Sequence, residues 1–564
     1  MKTILTTLHS KYIHPSLALP CLCAYCGEGC GELLIREFTV HEPKESVLGV
    51  LLALEPDVVA FSVYLWNRRE TLELVDALGA AAPGVRIVLG GPEVSFDGNE
   101  LFARHPALSA LVRGEGELPL HALLSAWIRG EEPRAVPRLA WRTTAGISEG
   151  PEGPVLAELD RIPSPFALGL VDTSRGFVYL ETSRGCPYDC AFCMSALDTS
   201  VRSFSMARIK GDLDLLMAAE VPRIKLVDRT FNYDACRARE IFRHILEHNR
   251  SSHFHFEIGA HLLDAATLEL LRTVPEGTFQ FEIGVQSTLP RTLQAIGRST
   301  DLERLENNIR SLIREGNIHL HLDLIAGLPG EGYGDFLASI DRVLALQPHH
   351  LQIEPVKLLP GAPLRSQTDR FKIRYDPNPP YTVLGTAELG FSELERLRGI
   401  GRLMDLTFNS GRFPTFLAAL AETCGSTATG LEAMEEHWRR AELFRHPLSQ
   451  RALFDGAWSF VSTAFSGEAR QRLADGLGYD FARCERVIPE RIPEFLDTDL
   501  TADERERARD RMRGAMEENR REGGRLQHFV AVFRHLPREQ GRTVVLFTYR
   551  TRGGSGMEVT ADPV

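Results

Sequence analysis

The stretch Glu181-Thr-Ser-Arg-Gly-Cys186-Pro-Tyr-Asp-Cys190-Ala-Phe-Cys193 decides how this chain is read. It follows an apolar run that reads as a strand, so the C-x3-C-x2-C spacing sets three thiols on one side of a single loop. Three soft ligands suit an iron–sulfur cluster, yet a four-iron cube takes four, which leaves one iron open to a substrate or cofactor. Zinc with a distant fourth ligand and plain buried thiols are the alternatives. Zinc sites usually show paired C-x2-C halves, and no second pair follows at a suitable distance.

With an aromatic residue, Phe192, directly before the last cysteine, the motif resembles the radical S-adenosylmethionine (SAM) superfamily. The resemblance implies a 4Fe-4S cluster on Cys186, Cys190 and Cys193, with SAM chelating the open iron through its amino and carboxylate groups. It also implies reductive cleavage of SAM to methionine and a 5′-deoxyadenosyl radical, fed by an electron donor such as a flavodoxin or ferredoxin.

From Phe177 onward a strand–helix rhythm repeats, with strands expected at Val178–Thr182, Arg223–Val227, His253–Gly259, Phe279–Val285, Ile318–Ile325 and Leu351–Val356. Helices such as Met206–Ala219 and Ala235–Asn249 carry the 3.6-residue apolar pattern. These units resemble the partial (β/α)6 barrel of radical SAM enzymes, with chemistry at the carboxyl ends of the strands. Carried over to this chain, the resemblance implies SAM contacts from Phe192, Asp228, Glu257, Glu282, Gln286, Ser287, Arg298 and the Gly327 turn. Asp228 stands where the methionine amino group is held, although the usual Gly-Gly-Glu is absent; an arginine fork at 298 suits the carboxylate.

Upstream, residues 1–125 alternate strand and helix, which predicts a parallel sheet with helices on both faces and ligands over the carboxyl ends of its strands. Those ends carry Phe61-Ser-Val-Tyr-Leu-Trp66, Gly90-Gly-Pro-Glu-Val-Ser95 and Arg113-Gly-Glu-Gly-Glu117. In this order, ahead of the cysteine loop, they resemble the cobalamin-binding domain of the B12-dependent radical SAM enzymes. The implied cobalamin contacts are Ser62, Val63, Tyr64, Trp66, Gly90, Gly91, Pro92, Glu93, Val94, Gly114, Glu115, Gly116 and Glu117. The first loop lacks Asp-x-His-x-x-Gly, so cobalt is expected without a protein histidine, and Tyr64 and Trp66 are candidates to shield its lower face. His9 or His14 as a cobalt ligand is the lesser alternative to loop or cap roles. Cys21, Cys23, Cys26 and Cys30 read as packing residues of a helix, with metal binding as the alternative.

The expected organisation is an α/β chain: a flavodoxin-like (Rossmann-like) B12-binding domain at 1–125, a linker at 126–175 and a partial barrel at 176–365. A mainly α-helical C-terminal domain at 366–564 is placed to cap the substrate. In the linker, Arg138–Trp141 is expected to pair with Val155–Leu159. After the barrel, helices are expected at Glu393–Met404, Phe413–Thr423, Ala433–Phe444 and Ala502–Glu522, and a strand at Thr543–Tyr549. This region resembles the uncharacterised helical part of one branch of the B12-dependent family, with Arg402, Asn409 and Arg412 candidates for the barrel mouth.

With 564 residues the chain is too long for one core, and 43% apolar and 25% charged residues are ordinary for a globular protein. A formal charge of −12 argues against a nucleic-acid binder. Ten cysteines are too sparse for a disulfide scaffold. No signal peptide is apparent, and no apolar run reaches the ~18–20 residues of a membrane span, so a cytoplasmic setting is expected. The reading is a radical SAM methyltransferase that uses methylcobalamin on an unactivated carbon of a small-molecule or peptide substrate. A B12-dependent rearrangement, cyclisation or oxidation, a cobalamin or iron–sulfur sensor, and a methylthiotransferase are the alternatives.

Overall fold

The computed structural model describes residues 1–10, 14–134, 136–153, 155–522, 525–537, 539, 541–551 and 557–564. In chain order the first layer runs β1 (Lys2–His9), α1 (Ala18–Cys26), β2 (Glu32–Thr39), α2 (Lys44–Leu52), β3 (Val58–Ser62), α3 (Arg68–Ala81), β4 (Arg86–Gly90), α4 (Glu100–Arg104), β5 (Leu108–Val112), α5 (Glu117–Ile128), β6 (Leu139–Thr143) and β7 (Gly146–Glu149). The sheet order is β2-β1-β3-β4-β5-β6-β7, parallel through β5 and antiparallel beyond it. Central strands such as β3 are buried at every residue, as a sheet covered on both faces requires. Since the chain leaves β1 for β2 on one side and returns to β3 on the other, a crevice opens at the carboxyl ends of β1 and β3.

The expected hairpin forms with a different partner. β6 pairs with β7 rather than with 155–159, and it extends the first sheet beyond residue 125. The turn is local: Thr143 Oγ1 donates to Gly146 O and accepts from Ala145 N.

The second sheet is built from β8 (Phe177–Leu180), the two-residue strands β9 (Ser183–Arg184) and β10 (Arg202–Ser203) above it, α6 (Met206–Ala218), β11 (Arg223–Leu226), α7 (Ala235–His248), β12 (His253–Glu257), α8 (Ala265–Leu271), β13 (Phe279–Gln286), α9 (Pro290–Ala295), α10 (Leu302–Glu315), β14 (His319–Ala326), α11 (Tyr333–Leu344) and β15 (His350–Pro355). Six strands run parallel in the order β15-β14-β13-β12-β11-β8, an open barrel. Ser205, Asp234 and Asp301 cap α6, α7 and α10 by accepting from backbone N–H groups. On each strand alternate residues face the helices: Phe254, Phe256, Phe279 and Phe281 pack with Phe231 and Phe242, all fully buried. Burial of each such ring is worth about 1.5–3 kcal/mol.

The remainder comprises α12 (Thr368–Phe371), β16 (Arg374–Tyr375), β17 (Val383–Gly385), α13 (Phe391–Leu406), α14 (Pro414–Cys424), α15 (Thr427–Arg440), α16 (Gln450–Ala464), α17 (Gly467–Cys484), α18 (Ala502–Glu522), β18 (Arg525–Phe533), β19 (Thr543–Thr551) and β20 (Met557–Pro563). The helices α12, α16 and α17 and the strands β16, β17, β18 and β20 go beyond the sequence expectation; β18, β19 and β20 form an antiparallel sheet. Leu394, Leu397, Leu403 and Met404 of α13 join the same apolar core as the barrel strands. Among the described residues, no helix is long and apolar enough to cross a membrane.

Candidate cofactor site

The cysteine loop rises from β8 and is closed at its neck by the β9–β10 pair. Cys186 N donates to Asp198 O at 3.0 Å just above that neck. Gly185 has φ +87°, and a Cβ there would stand 2.5 Å from Ser200 O, so the tight return needs glycine. Ala191 N donates to Ile296 O at 2.8 Å and Leu364 N to Ala191 O at 2.7 Å, which pins the loop to the barrel. Cys186 and Cys190 are buried and Cys193 is half-buried.

Two of the sulfurs accept from an N–H donor, and the third lies beside a hydroxyl. Thr230 Oγ1 lies 3.6 Å from Cys186 Sγ, Arg298 Nη1 donates to Cys190 Sγ at 3.6 Å, and Ser195 N donates to Cys193 Sγ at 3.4 Å. Burial pushes the Cys190 thiol up, and Arg298 draws it back. Such donors suit thiolate ligands of a metal cluster. Among the described residues the three sulfurs are not gathered within 4.8 Å of one another, as ligands of a single ion would be. A separate group, Asp214, His244 and His248, is so gathered, at the carboxyl end of α7 and away from the cysteine loop.

The residues expected to hold SAM divide into two sets. Phe192 packs on the barrel core beside the loop. Arg298 also donates Nη2 to Gly284 O at 2.5 Å, and its buried Nε has no partner. Gln286, at φ +69°, leaves Oε1 buried and unpartnered. Arg298 lies beside Cys190, and the Gln286 amide meets it across Gly284. Ser287, by contrast, is buried and donates to Glu331 Oε1 at 2.9 Å. The Gly327 turn sits under Leu394 of α13 and Val356, each within 3.3 Å of the position a Cβ would take.

Asp228 departs from expectation. It is fully buried, and its carboxylate accepts from Thr182 N at 3.1 Å, Thr182 Oγ1 at 2.6 Å and Ser183 Oγ, with Arg237 Nη2 at 3.5 Å. Three hydrogen bonds tie its carboxylate to the base of the cysteine loop, which makes it a positioning residue for that loop.

Glu257 and Glu282 face the barrel lumen with partners the sequence reading passed over. Lys225 Nζ lies 3.5 Å from Glu257 and 3.2 Å from Glu282, and His255 Nε2 lies 2.8 Å from Glu282. Burial opposes the Glu282 charge, but His255 and Lys225 outweigh it and hold the carboxyl at about 2. Glu257 is pushed up by burial and then by Glu282. His321 Nε2 stands 3.2 Å from Asp323 Oδ1 on the next strand. The signal was present: His253-x-His-x-Glu257 and His319-x-His-x-Asp323 put a polar residue at every second position of a barrel strand.

At the first sheet, the loop after β3 lies at the crevice. Tyr64 and Trp66 stack with centroids 4.7 Å apart and planes 3° apart. Trp66 Nε1 donates to Leu8 O at 3.0 Å and Asn67 Nδ2 to the same oxygen at 2.8 Å, so the pair is anchored on the end of β1. Trp66 is 48% exposed, an unusual state for so large a ring. Ser62, Val63 and Val94 are buried. Gly91 has φ +102°, and a Cβ there would stand 2.6 Å from Val63 O, so the Gly90-Gly91-Pro92 turn packs flat on the β3 loop. An exposed aromatic platform beside a backbone stripped of side chains fits a large planar ligand. His9 is not free for cobalt: its Nε2 lies 3.2 Å from Glu37, which also accepts from Ser16 N and Arg175. His14 edges onto Phe177.

Three acidic residues expected around the corrin point elsewhere. Glu93 accepts from Tyr381 Oη in the C-terminal region and lies 3.8 Å from Arg68. Glu115 and Glu117 bind Arg202 and Arg184 of the cysteine-loop neck. Gly114 and Gly116 flank Glu115, Gly116 against Leu22. Cys26 and Cys30 pack between α1, α5 and the sheet, with Cys30 Sγ 3.7 Å from Ser125 Oγ, which is the packing role expected. Asn409 bonds Leu351 N and O, each at 2.9 Å, at the amino end of β15, and Arg402 donates to Phe444 O; neither reaches the mouth.

Comparison with known proteins adds three domain matches: a B12-binding domain over 4–124, the radical SAM superfamily over 180–343, and a protein of unknown function, DUF4080, over 369–536. The cobalamin-dependent radical SAM methyltransferase TokK of Streptomyces tokunonensis is 28% identical over 349 residues, covering 58% of this chain and 50% of its own. The 2-(S-pantetheinyl)-carbapenam-3-carboxylate methyltransferase of Streptantibioticus cattleyicolor is 28% identical over 357 residues, with the same 58% and 50% coverage. The chain thus spans about half the length of these curated relatives. A solved structure of the cobalamin-dependent S-adenosylmethionine radical enzyme OxsB, with aqua-cobalamin and S-adenosylmethionine bound, superposes with TM-score 0.61 at 16% identity over 85% of this chain and 83% of that one. The chain thus carries a B12-binding domain, a radical SAM domain bearing the three-thiol loop and the DUF4080 region in that order, and it is similar to cobalamin-dependent radical SAM methyltransferases.

Proposed function

We propose that the protein is a cobalamin-dependent radical SAM methyltransferase acting on an unactivated carbon of a small-molecule or peptide substrate. The observation that carries this reading is the direct bonding of the B12-binding domain to the neck of the cysteine loop, which brings the two cofactor regions together. On this reading Cys186, Cys190 and Cys193 hold a 4Fe-4S cluster, SAM lies beside Arg298 and Gln286, and cobalamin covers the Tyr64–Trp66 platform. When bound, the cluster and SAM supply a radical able to take hydrogen from a saturated carbon, and methylcobalamin supplies a methyl group to the carbon radical that results.

The chain's own residues orient and enclose. Arg298 has an unpartnered Nε for a carboxylate beside the thiols. Lys225, His255, Glu257, Glu282, His321 and Asp323 line the lumen with charged and polar groups that orient a polar substrate. One face of α13 packs its leucines onto the barrel core beside β15. Ten free cysteines suit a reducing, cytoplasmic setting, with a flavodoxin or ferredoxin as electron donor.

The test is anaerobic reconstitution of the full chain, with iron, sulfide and corrinoid analysis. The loaded protein then receives methyl-labelled SAM, a low-potential reductant and fractionated cell metabolites and peptides. Deoxyadenosine together with a product heavier by one labelled methylene unit is expected. A protein that holds no corrinoid, or a Cys186→Ala/Cys190→Ala/Cys193→Ala variant that makes as much deoxyadenosine as the parent, refutes the reading. A product of altered mass without the label would select the rival reading, a non-methylating radical outcome.

A further inference from the structure

Arg184 and Arg202 stand directly opposite each other in the two-residue ladder that closes the cysteine loop. Two like charges facing across a ladder repel, and here both are largely buried, with side chains 13% and 10% exposed. Within the barrel, Glu181 lies 2.9 Å from Arg184 and Asp198 lies 2.8 Å from Arg202. Neither carboxylate spans the pair. The group that does comes from the other domain. Glu115, on the loop between β5 and α5, reaches Arg202 with both oxygens, at 2.5 and 3.1 Å, and Arg184 at 3.3 Å. Glu117, at the first position of α5, lies 2.7 Å from Arg184, where the helix amino end also favours its charge. Arg202 further donates to Leu156 O at 2.6 Å, so the connecting segment is drawn into the same cluster.

We propose that Glu115 and Glu117 are positioning residues that clasp the neck of the cysteine loop and so set the distance between cobalamin and the iron–sulfur cluster. The proposal rests on the cofactor reading above. Buried ion pairs return little net stability for the desolvation they cost, whereas a bidentate arginine–carboxylate pair fixes geometry in a plane. A loop whose thiols must face a cofactor carried by another domain needs that second property. The Gly-Glu-Gly-Glu stretch is therefore a clasp on the barrel, and the corrin is left to the Tyr64–Trp66 and Gly90-Gly91 loops.

The test uses anaerobically loaded full-length protein, with pulsed-EPR distance measurement between cob(II)alamin and the reduced cluster, and cobalamin affinity by titration. For Glu115→Gln/Glu117→Gln, cobalamin affinity within two-fold of the parent is expected, with a distance distribution at least twice as broad. Arg202→Lys, which keeps the charge but loses the fork, is expected to give an intermediate width at unchanged affinity; it decides the matter alone if the double variant does not fold. A distribution as narrow as the parent's overturns the proposal. So does a ten-fold or greater loss of cobalamin affinity, which would make these carboxylates corrin contacts. A parent that binds no cobalamin or no cluster instead removes the cofactor reading itself, and the two failures are thereby told apart.

Discussion

Replacing Asp228 with alanine separates a residue that builds the cysteine loop from one that touches SAM. Its carboxylate takes the Thr182 N–H and the hydroxyls of Thr182 and Ser183, and stands 3.5 Å from Arg237, whose side chain is 9% exposed. Removing one partner of a buried ion pair costs about 3–5 kcal/mol because the remaining charge is left uncompensated. Buried donors left without acceptors cost about 1–3 kcal/mol each, although Arg237 also donates to Thr182 Oγ1, which offsets part of this. Asp228→Ala should therefore destabilise the barrel by about 3–5 kcal/mol. Asp228→Asn, which keeps an acceptor oxygen, should lose less. The assay is urea unfolding of the iron-loaded protein under argon, followed by far-UV circular dichroism, beside SAM affinity by equilibrium dialysis. Were Asp228 a direct ligand of the SAM amino group, alanine would weaken SAM binding and leave the unfolding midpoint in place. An alanine variant within about 1 kcal/mol of the parent would refute the reasoning.

Three further outcomes follow from single sites. Gly91→Ala forces a Cβ to within 2.6 Å of Val63 O at φ +102°, so the loops after β3 and β4 must part; overpacking of this kind costs about 1–3 kcal/mol. Cobalamin retained after gel filtration should fall sharply, and full retention would show that this close approach does not shape the crevice. Burial pushes the Glu331 carboxyl up to about 7, against about 4.3 for an unfolded glutamate. The folded state then holds a proton the unfolded state has released, so stability falls as pH rises across that window, by on the order of 3–4 kcal/mol. Glu331→Gln, isosteric with the protonated acid, should be the more stable protein at pH 8 and converge with the parent toward about pH 4.5; parallel stability curves would sink this. Alanine at Cys186, Cys190 and Cys193 should abolish bound iron, whereas Cys26→Ala and Cys30→Ala should lower stability and leave iron content unchanged, read by iron and sulfide analysis.

What could be read from sequence was what short-range chemistry writes into it. The alternation of strand and helix depends on residues a few positions apart, and the structure has β4 and β5 ending at Gly90 and Val112, where periodicity put them. The misplaced hairpin shows where this stops. Strand propensity near 138 was legible, but the choice between partners at 146 and 155 rested on a turn held by one threonine hydroxyl. Lys225, His255, His321 and Asp323 were missed because a polar residue on a strand signals solvent as readily as it signals a barrel lumen.

The acidic residues misread at first hold the larger lesson. Glu93, Glu115 and Glu117 sit on the correct loops, at the ligand-facing ends of a parallel sheet, and a carboxylate there reads naturally as part of the ligand's cradle. Their partners are Tyr381, Arg202 and Arg184, up to 288 positions away in the chain. Nothing local distinguishes a glutamate that faces a cofactor from one that faces another domain. Energetics does: a carboxylate in a closing site needs a partner for its charge, and Glu117 and Glu115 find theirs in the guanidinium groups of Arg184 and Arg202. Arginines opposed across a two-residue ladder, in turn, are intolerable without acids. Each set of charges resolves the other, and the bond between them is the means by which one domain of this chain can hold the working loop of the next.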